Sequence, residues 1–536
     1  MTQQLTRERR VESERILDSG GLALRETDAA AFPEVRALLR GIGYETDAVC
    51  ARIGTRPVRG LLVARETPYA GTVRDALDLV IRLFLLGEPA ASSEVTALLP
   101  AGAPALLQRL GLLSDVAGDG ALCHAPVALY PTAGLYVVSD HVRTLVGPGE
   151  AAADVVYPAV ADTTIDFLAG LPATPCDDLL DLGAGTGIAA LQAAASYARH
   201  AWAADITERA TSMARFNARL NGLENVTVSC GDLYEPVGDR TFDRIVAHPP
   251  YMPEPDPRLI FRDGGADGEQ ITRRIVEGLP AHLRPGGQLW CRCLGTDRKG
   301  APLEQRLRAM LGAAEVEFDV VVAVSPAMTP AEYGGRILGL QGFTPASVDR
   351  QLAVFRELEV ESIVTGFVVI ERHTESRPAV TARRRLPRRE RFTASAIDWL
   401  LRWERAAAAP SFGARLAEAR PVLQPLAEVQ LKHHMRGGEL RAEGCAAVTD
   451  FPFPFSFEST PGAALLLARC DGTRTVVELH GEMTSLGTVP AGVTLEQFLS
   501  LIHALVGGGV LELDEFPLPE REDGAAVRAG ERAARS

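Results

Sequence analysis

Alternating apolar strands and amphipathic helices over residues 151–375 predict an α/β fold: a doubly wound, Rossmann-like sheet of seven strands. Two local patterns support that class. Asp178-Leu-Leu-Asp-Leu-Gly-Ala-Gly-Thr-Gly187 reads as a buried strand breaking into a glycine turn and opening a helix. Ala247-His-Pro-Pro-Tyr251 ends another buried strand in a rigid Pro-Pro and an aromatic ring. The 536 residues exceed one ordinary core, so three domains are expected: 1–150, 151–375 and 376–536.

Composition narrows the class further. With 46% hydrophobic and 23% charged residues the chain is globular. A formal net charge of −14 provides no positive field for nucleic acid, which makes nucleic acid the less favoured partner. The eight cysteines are scattered without a C-x-x-C pair, and Cys291 and Cys293 fall in an apolar run, where they read as core. The first ten residues are charged and lack an apolar signal region, and no apolar run reaches the ~20 residues of a membrane span. A reducing cytoplasm and no membrane partner are expected.

Along the chain, Val73, Ala76, Leu77, Val80, Ile81, Phe84 and Leu85 recur at helical spacing and stop at Gly87. A second apolar set runs from Val95 to Leu113, a turn falls near Gly118, and Leu135-Tyr-Val-Val-Ser139 looks β-like. The N-terminal domain is therefore expected to be helical or winged-helix-like, covering the site or serving as a substrate or dimer platform. A homodimer is compatible with it. Strands of the central sheet are expected at 178–182, 200–205, 225–230, 242–248, 286–293, 317–324 and 363–371, with a helical insertion between the last two. The arginine-rich Arg383-Arg-Arg-Leu-Pro-Arg-Arg-Glu-Arg391 reads as a solvated linker to a C-terminal α+β accessory domain. There Thr494-x-x-Gln497 forms a capping box before an apolar helix, and a charged tail from Glu520 is expected to be disordered.

The site is read from strand ends. Gly183, Gly185 and Gly187 let backbone approach a ligand at a helix N-terminus. Asp181 can meet a cationic amine, Asp205 can accept both hydroxyls of a ribose, and Asp232 can accept an adenine amino group. Nicotinamide enzymes more often carry G-x-G-x-x-G, and position 188 here is Ile, so S-adenosylmethionine is the expected cofactor. His433, His434 and His124 lack ligand spacing, and no metal site is read.

Four motifs occur in order: Tyr157-Pro-x-x-x-Asp162-Thr163, Asp181 to Gly187, His248-Pro-Pro-Tyr251, and Phe261-Arg-Asp-Gly-Gly-Ala-Asp-Gly268. As a set, residues 151–300 resemble the class I methyltransferases of the "small domain" group, which include HemK-type enzymes acting on protein glutamine side chains. The resemblance implies cofactor contacts from Tyr157, Thr163 and His248, and an acceptor corner of His248, Pro249 and Tyr251. In the family the corner is Asn-Pro-Pro-Tyr, whose Asn carbonyl and adjoining backbone accept the target N–H groups while the Tyr stacks on the planar acceptor. His248 stands where the family has Asn, and an imidazole can accept a hydrogen bond or take a proton. Arg262 and Asp263 are alternatively caps of the next helix. With methyl transfer implied, the extra domains and the acidic charge point to N-methylation of a small molecule of secondary metabolism, or of a peptide or protein. The alternatives are an RNA or other nucleic-acid base as acceptor, and a catalytically silent binding protein.

Overall fold

In the computed structural model, residues 22–54, 73–116, 119–141, 153–253, 260–338, 343–386, 393–490 and 492–520 are described. The central sheet comprises β1 (Cys176–Leu182), β2 (Ala198–Asp205), β3 (Val226–Cys230), β4 (Phe242–Ala247), β5 (Leu283–Arg298), β6 (Phe318–Val324), β7 (Val360–Arg372) and β8 (Thr381–Arg385). Its order is β3-β2-β1-β4-β5-β7-β6-β8. β1, β2, β3, β4 and β5 run parallel, whereas β7 is antiparallel to β6. From β1 the chain builds outward through β2 and β3, then returns to the opposite side with β4. That reversal opens a crevice at the carboxyl ends of β1 and β4, where α/β sheets hold ligands.

An eighth strand departs from the expected seven. Arg383, Arg384 and Arg385 are not linker: they pair in parallel with Val322, Ala323 and Val324 of β6. Their charges are met by carboxylates distant in sequence, Glu304 for Arg383 and Glu404 for Arg384. Arg388 to Arg391, and the tail beyond Glu520, lie outside the described residues.

Contacts divide the chain into two compact units, one of residues 1–169, 173–302 and 328–363, the other of 170–172, 303–327 and 364–536. The break expected at 150 is absent from the first unit. Phe32, Val35, Leu39 and Phe84 of the N-terminal region share one buried cluster with Met213, Phe216 and Leu220 of the helix Glu208–Asn221. Helices Ser92–Leu98 and Ala103–Arg109 lie between the first strand of a small three-stranded sheet, Ala90–Ala91, and its other two, Ser114–Val116 and Asp119–His124, and the hairpin Ala128–Thr132/Leu135–Ser139 follows. The Asn217 side chain fastens that hairpin to the glycine turn. It accepts from Val138 N–H at 2.7 Å and donates to the carbonyls of Val138 and Thr186 at 3.1 and 3.0 Å.

In the second unit Asp319 is buried and accepts from Arg377, Arg405 and the Val380 N–H, which hold its carboxyl down at about 2 against the cost of burial. Helices Gly462–Arg469, Val476–Ser485 and Leu495–Gly507 pack around Trp403, and Thr494 and Gln497 form the expected reciprocal box. The long hairpin Glu428–Arg436/Glu439–Thr449 was not anticipated.

Phe216 is fully buried and meets Phe32 edge-on at 5.1 Å. Phe216→Ala is therefore expected to cost ~3–5 kcal/mol in denaturant titration. A loss under 1 kcal/mol would contradict a shared core.

Candidate active site

The register places the two signature loops side by side. Leu182 pairs with Ala247, so Gly183 and His248 leave adjacent parallel strands at the same edge. Gly183 and Gly185 adopt φ of 67° and 55°, and a β-carbon on either would point into open space. Their backbone is pinned from behind. Gly183 and Ala184 N–H donate to Ala204 carbonyl, and Gly185 N–H donates to Asp205 Oδ2 at 2.9 Å. Asp205 Oδ1 accepts from Thr207 N–H and hydroxyl, at 3.0 and 3.2 Å. Asp205 thus shapes the turn, and keeps lone pairs on both oxygens for further donors.

Asp181 is 3% exposed and its carboxylate accepts one hydrogen bond among the described residues, from Ala190 N–H at 3.2 Å. Burial pushes its pKa up to about 7; the Ala190 N–H opposes this and nearby Asp205 adds to it. A buried acid without a cation beside it fits the amine of an amino-acid-bearing cofactor. Asp232 is more exposed and is paired with Arg274 at 2.8 Å. Any adenine contact there must share its oxygens with that guanidinium.

On the other wall, His248 lies between Phe167 (centroids 5.4 Å) and Tyr251 (5.9 Å, 26° between planes). Its ring nitrogens have no hydrogen-bond partner among the described residues. Burial, helped by the charge of Arg292, lowers its pKa to about 3, so the imidazole is neutral at any physiological pH. Arg292 on β5 is in turn met by Asp166 at 3.4 Å. A ring of such low basicity is suited to accepting a hydrogen bond.

The Phe261 to Gly268 motif clamps this corner. Met252 N–H donates to Arg262 carbonyl at 3.2 Å, and Gly264 N–H to Met252 carbonyl at 2.9 Å. A β-carbon on Gly264 would fall 2.8 Å from Tyr251 Cα, and one on Gly268 3.0 Å from Tyr251 carbonyl oxygen, so the approach requires glycine. Buried Glu269 accepts from Thr296 hydroxyl at 2.8 Å and Arg298 at 3.1 Å, fixing the loop to β5. Arg262 and Asp263 do not cap the helix Gln270–Glu277, since Asp263 accepts from Gly265 N–H and Arg262 contacts rings. Tyr157 stacks on Phe261 at 5.0 Å and is hydrogen-bonded to Thr163, so these two stand together at the same wall.

Asp181, the glycine turn, Asp205, His248, Pro249 and Tyr251 thus converge on the carboxyl edge of β1, β2 and β4. Asp166, Phe167, Arg292 and Glu269 were missed. Arg292 alone left a trace in sequence, as one charge inside the apolar run Leu289-Trp-Cys-Arg-Cys-Leu294.

Residues 159–318 match the family described as methyltransferase small domain. The chain is similar to the ribosomal protein uL3 glutamine methyltransferase of Bradyrhizobium diazoefficiens (39% identity; 22% of this chain, 41% of that protein). It is similar to the release factor glutamine methyltransferase of Geobacter sulfurreducens (38%; 21% and 43%) and a putative protein N5-glutamine methyltransferase of Methanocaldococcus jannaschii (34%; 24% and 66%). In each case the match spans less than two thirds of the relative's length.

The Asp181 carboxyl generates a pH dependence. An ammonium binds its ionised form, so S-adenosylhomocysteine affinity should be half-maximal near pH 7, nearly full by about pH 8, and roughly tenfold weaker at pH 6 than at pH 8. Calorimetry in two buffers at pH 7 should register proton release. Asp181→Asn should bind weakly with a flat profile; a flat profile in the unmodified chain would contradict the assignment.

Proposed function

We propose that the chain, whose residues 159–318 match the methyltransferase small domain family, is an S-adenosylmethionine-dependent methyltransferase acting on an amide nitrogen of a peptide or protein. The observation that carries this reading is the neutral, unpartnered His248 ring beside Tyr251, one strand from the buried Asp181. Asp181 would hold the cofactor amine, the Gly183 to Gly187 backbone its body and Asp205 its hydroxyls. When bound, the cofactor supplies a methyl group activated on a sulfonium.

The chain's own residues then position the acceptor. His248 accepts one N–H, Tyr251 lies against the amide plane, and the Pro249-Pro250 backbone holds both in place. No acid or base is called for: the methylated nitrogen sheds its proton to solvent, because His248 at pKa about 3 cannot keep it. Relatives named for ribosomal-protein and release-factor substrates weigh toward a polypeptide acceptor over the small molecule that remains the alternative. The net charge of −14 weighs against nucleic acid.

Labelled S-adenosylmethionine with a lysate of the native host should transfer label to a component that mass spectrometry identifies. His248→Ala should keep S-adenosylhomocysteine affinity while lowering kcat by roughly 10²-fold, the scale of lost positioning. Between pH 5.5 and 8.5 kcat should show no inflection from an imidazole. An inflection near pH 6.5 that His248→Asn abolishes would make His248 a base, and cofactor binding without turnover on any extract would favour a silent protein.

A further inference from the structure

Arg262 stands apart from the other arginines of this region. Arg273 and Arg298 are tied to Asp267, Arg274 to Asp232, and Arg292 to Asp166. The Arg262 guanidinium has ring contacts and no ion pair among the described residues. It lies 5.8 Å from the Phe261 centroid and 4.7 Å from that of Phe343. Rings over its faces leave the N–H edge, which is the part that grips a carboxylate in a two-point pair. Adjacent Asp263 is engaged with Gly265 N–H at 2.9 Å. The Arg262 backbone is the strip that fastens Met252, next to Tyr251, and its charge reaches both Tyr157 and Tyr333.

A second polar group lies on the same side. Gln351 is 1% exposed, and neither atom of its amide has a hydrogen-bond partner among the described residues. Three residues after Val348 and four before Phe355, it shares the face of Pro345–Glu357 that packs with Tyr251, Met252 and Tyr333. Both atoms of that amide are sealed from solvent, so Gln351 belongs to the packing of this wall and takes no part in the pairing proposed below.

We propose that Arg262 is a specificity residue that pairs with a carboxylate on a peptide acceptor, so that the methylated amide sits in an acidic context. This rests on the methyl-transfer reading above. The overall negative charge of the chain makes a local cation the means by which an acidic peptide is selected.

The test uses the full chain, labelled S-adenosylmethionine and pools of short glutamine peptides with acidic, neutral or basic flanks, all amidated at the C-terminus, plus a neutral pool with a free C-terminus. Wild type should label the acidic pool about tenfold faster than the neutral and basic pools. Arg262→Gln should erase that preference through KM with kcat kept, and Arg262→Lys should restore part of it. Preference for the free C-terminus instead would identify the carboxylate as terminal and also support the pairing. Equal labelling of all pools, a uniform loss in Arg262→Gln, or a labelled lysate with no labelled pool would overturn it. Should S-adenosylhomocysteine bind while neither lysate nor pools take label, the methyl-transfer reading itself fails.

Discussion

A carboxylate buried at the end of β1, with one N–H partner among the described residues, is the constraint around which the rest of this site is arranged. Asp181 costs stability where it stands, since burial opposes its charge and Asp205 lies near enough to oppose it further. The cost is relieved when the acid takes a proton or when a cation arrives, so the position makes sense as one half of an ion pair. The surrounding backbone agrees: the glycine turn leaves open space toward that side, and its N–H groups are anchored behind it by Asp205 and Ala204.

The acceptor wall depends on that same strand register. With Leu182 opposite Ala247, any ligand held by Asp181 and the glycine turn borders His248. The corner itself is stiffened twice, by the prolines and by a loop whose Gly264 and Gly268 let it lie directly against Tyr251. Glu269, Thr296 and Arg298 then tie that loop to β5. The result is a rigid corner carrying a neutral acceptor nitrogen, suited to orienting a substrate rather than to exchanging protons with it.

Much of this was legible in the sequence because the signals were local. The apolar runs of β1 through β7, the glycine turn and the Thr494–Gln497 box each depend on residues close in the chain. What stayed hidden depends on distant partners. Arg383 to Arg385 looked solvated because Glu304 and Glu404, which make an arginine-rich edge strand tolerable, lie 79 and 20 residues away. The hairpin Glu428–Arg436/Glu439–Thr449 is exposed along most of its length and so lacks the alternation that marks a half-buried strand. The face that the helix Glu208–Asn221 turns toward Phe32 could be found only in three dimensions. The fall in His248 basicity likewise comes first from burial and then from the charge of Arg292, and the conversion of Asp232 into an ion-pair partner needed Arg274.

The most direct measurement is a crystal structure of the full chain with S-adenosylhomocysteine bound. The ligand amine should contact Asp181 and its hydroxyls Asp205, with its sulfur facing His248 and Tyr251. A ligand seated elsewhere, or a His248–Tyr251 corner turned away from the sulfur, would contradict the arrangement.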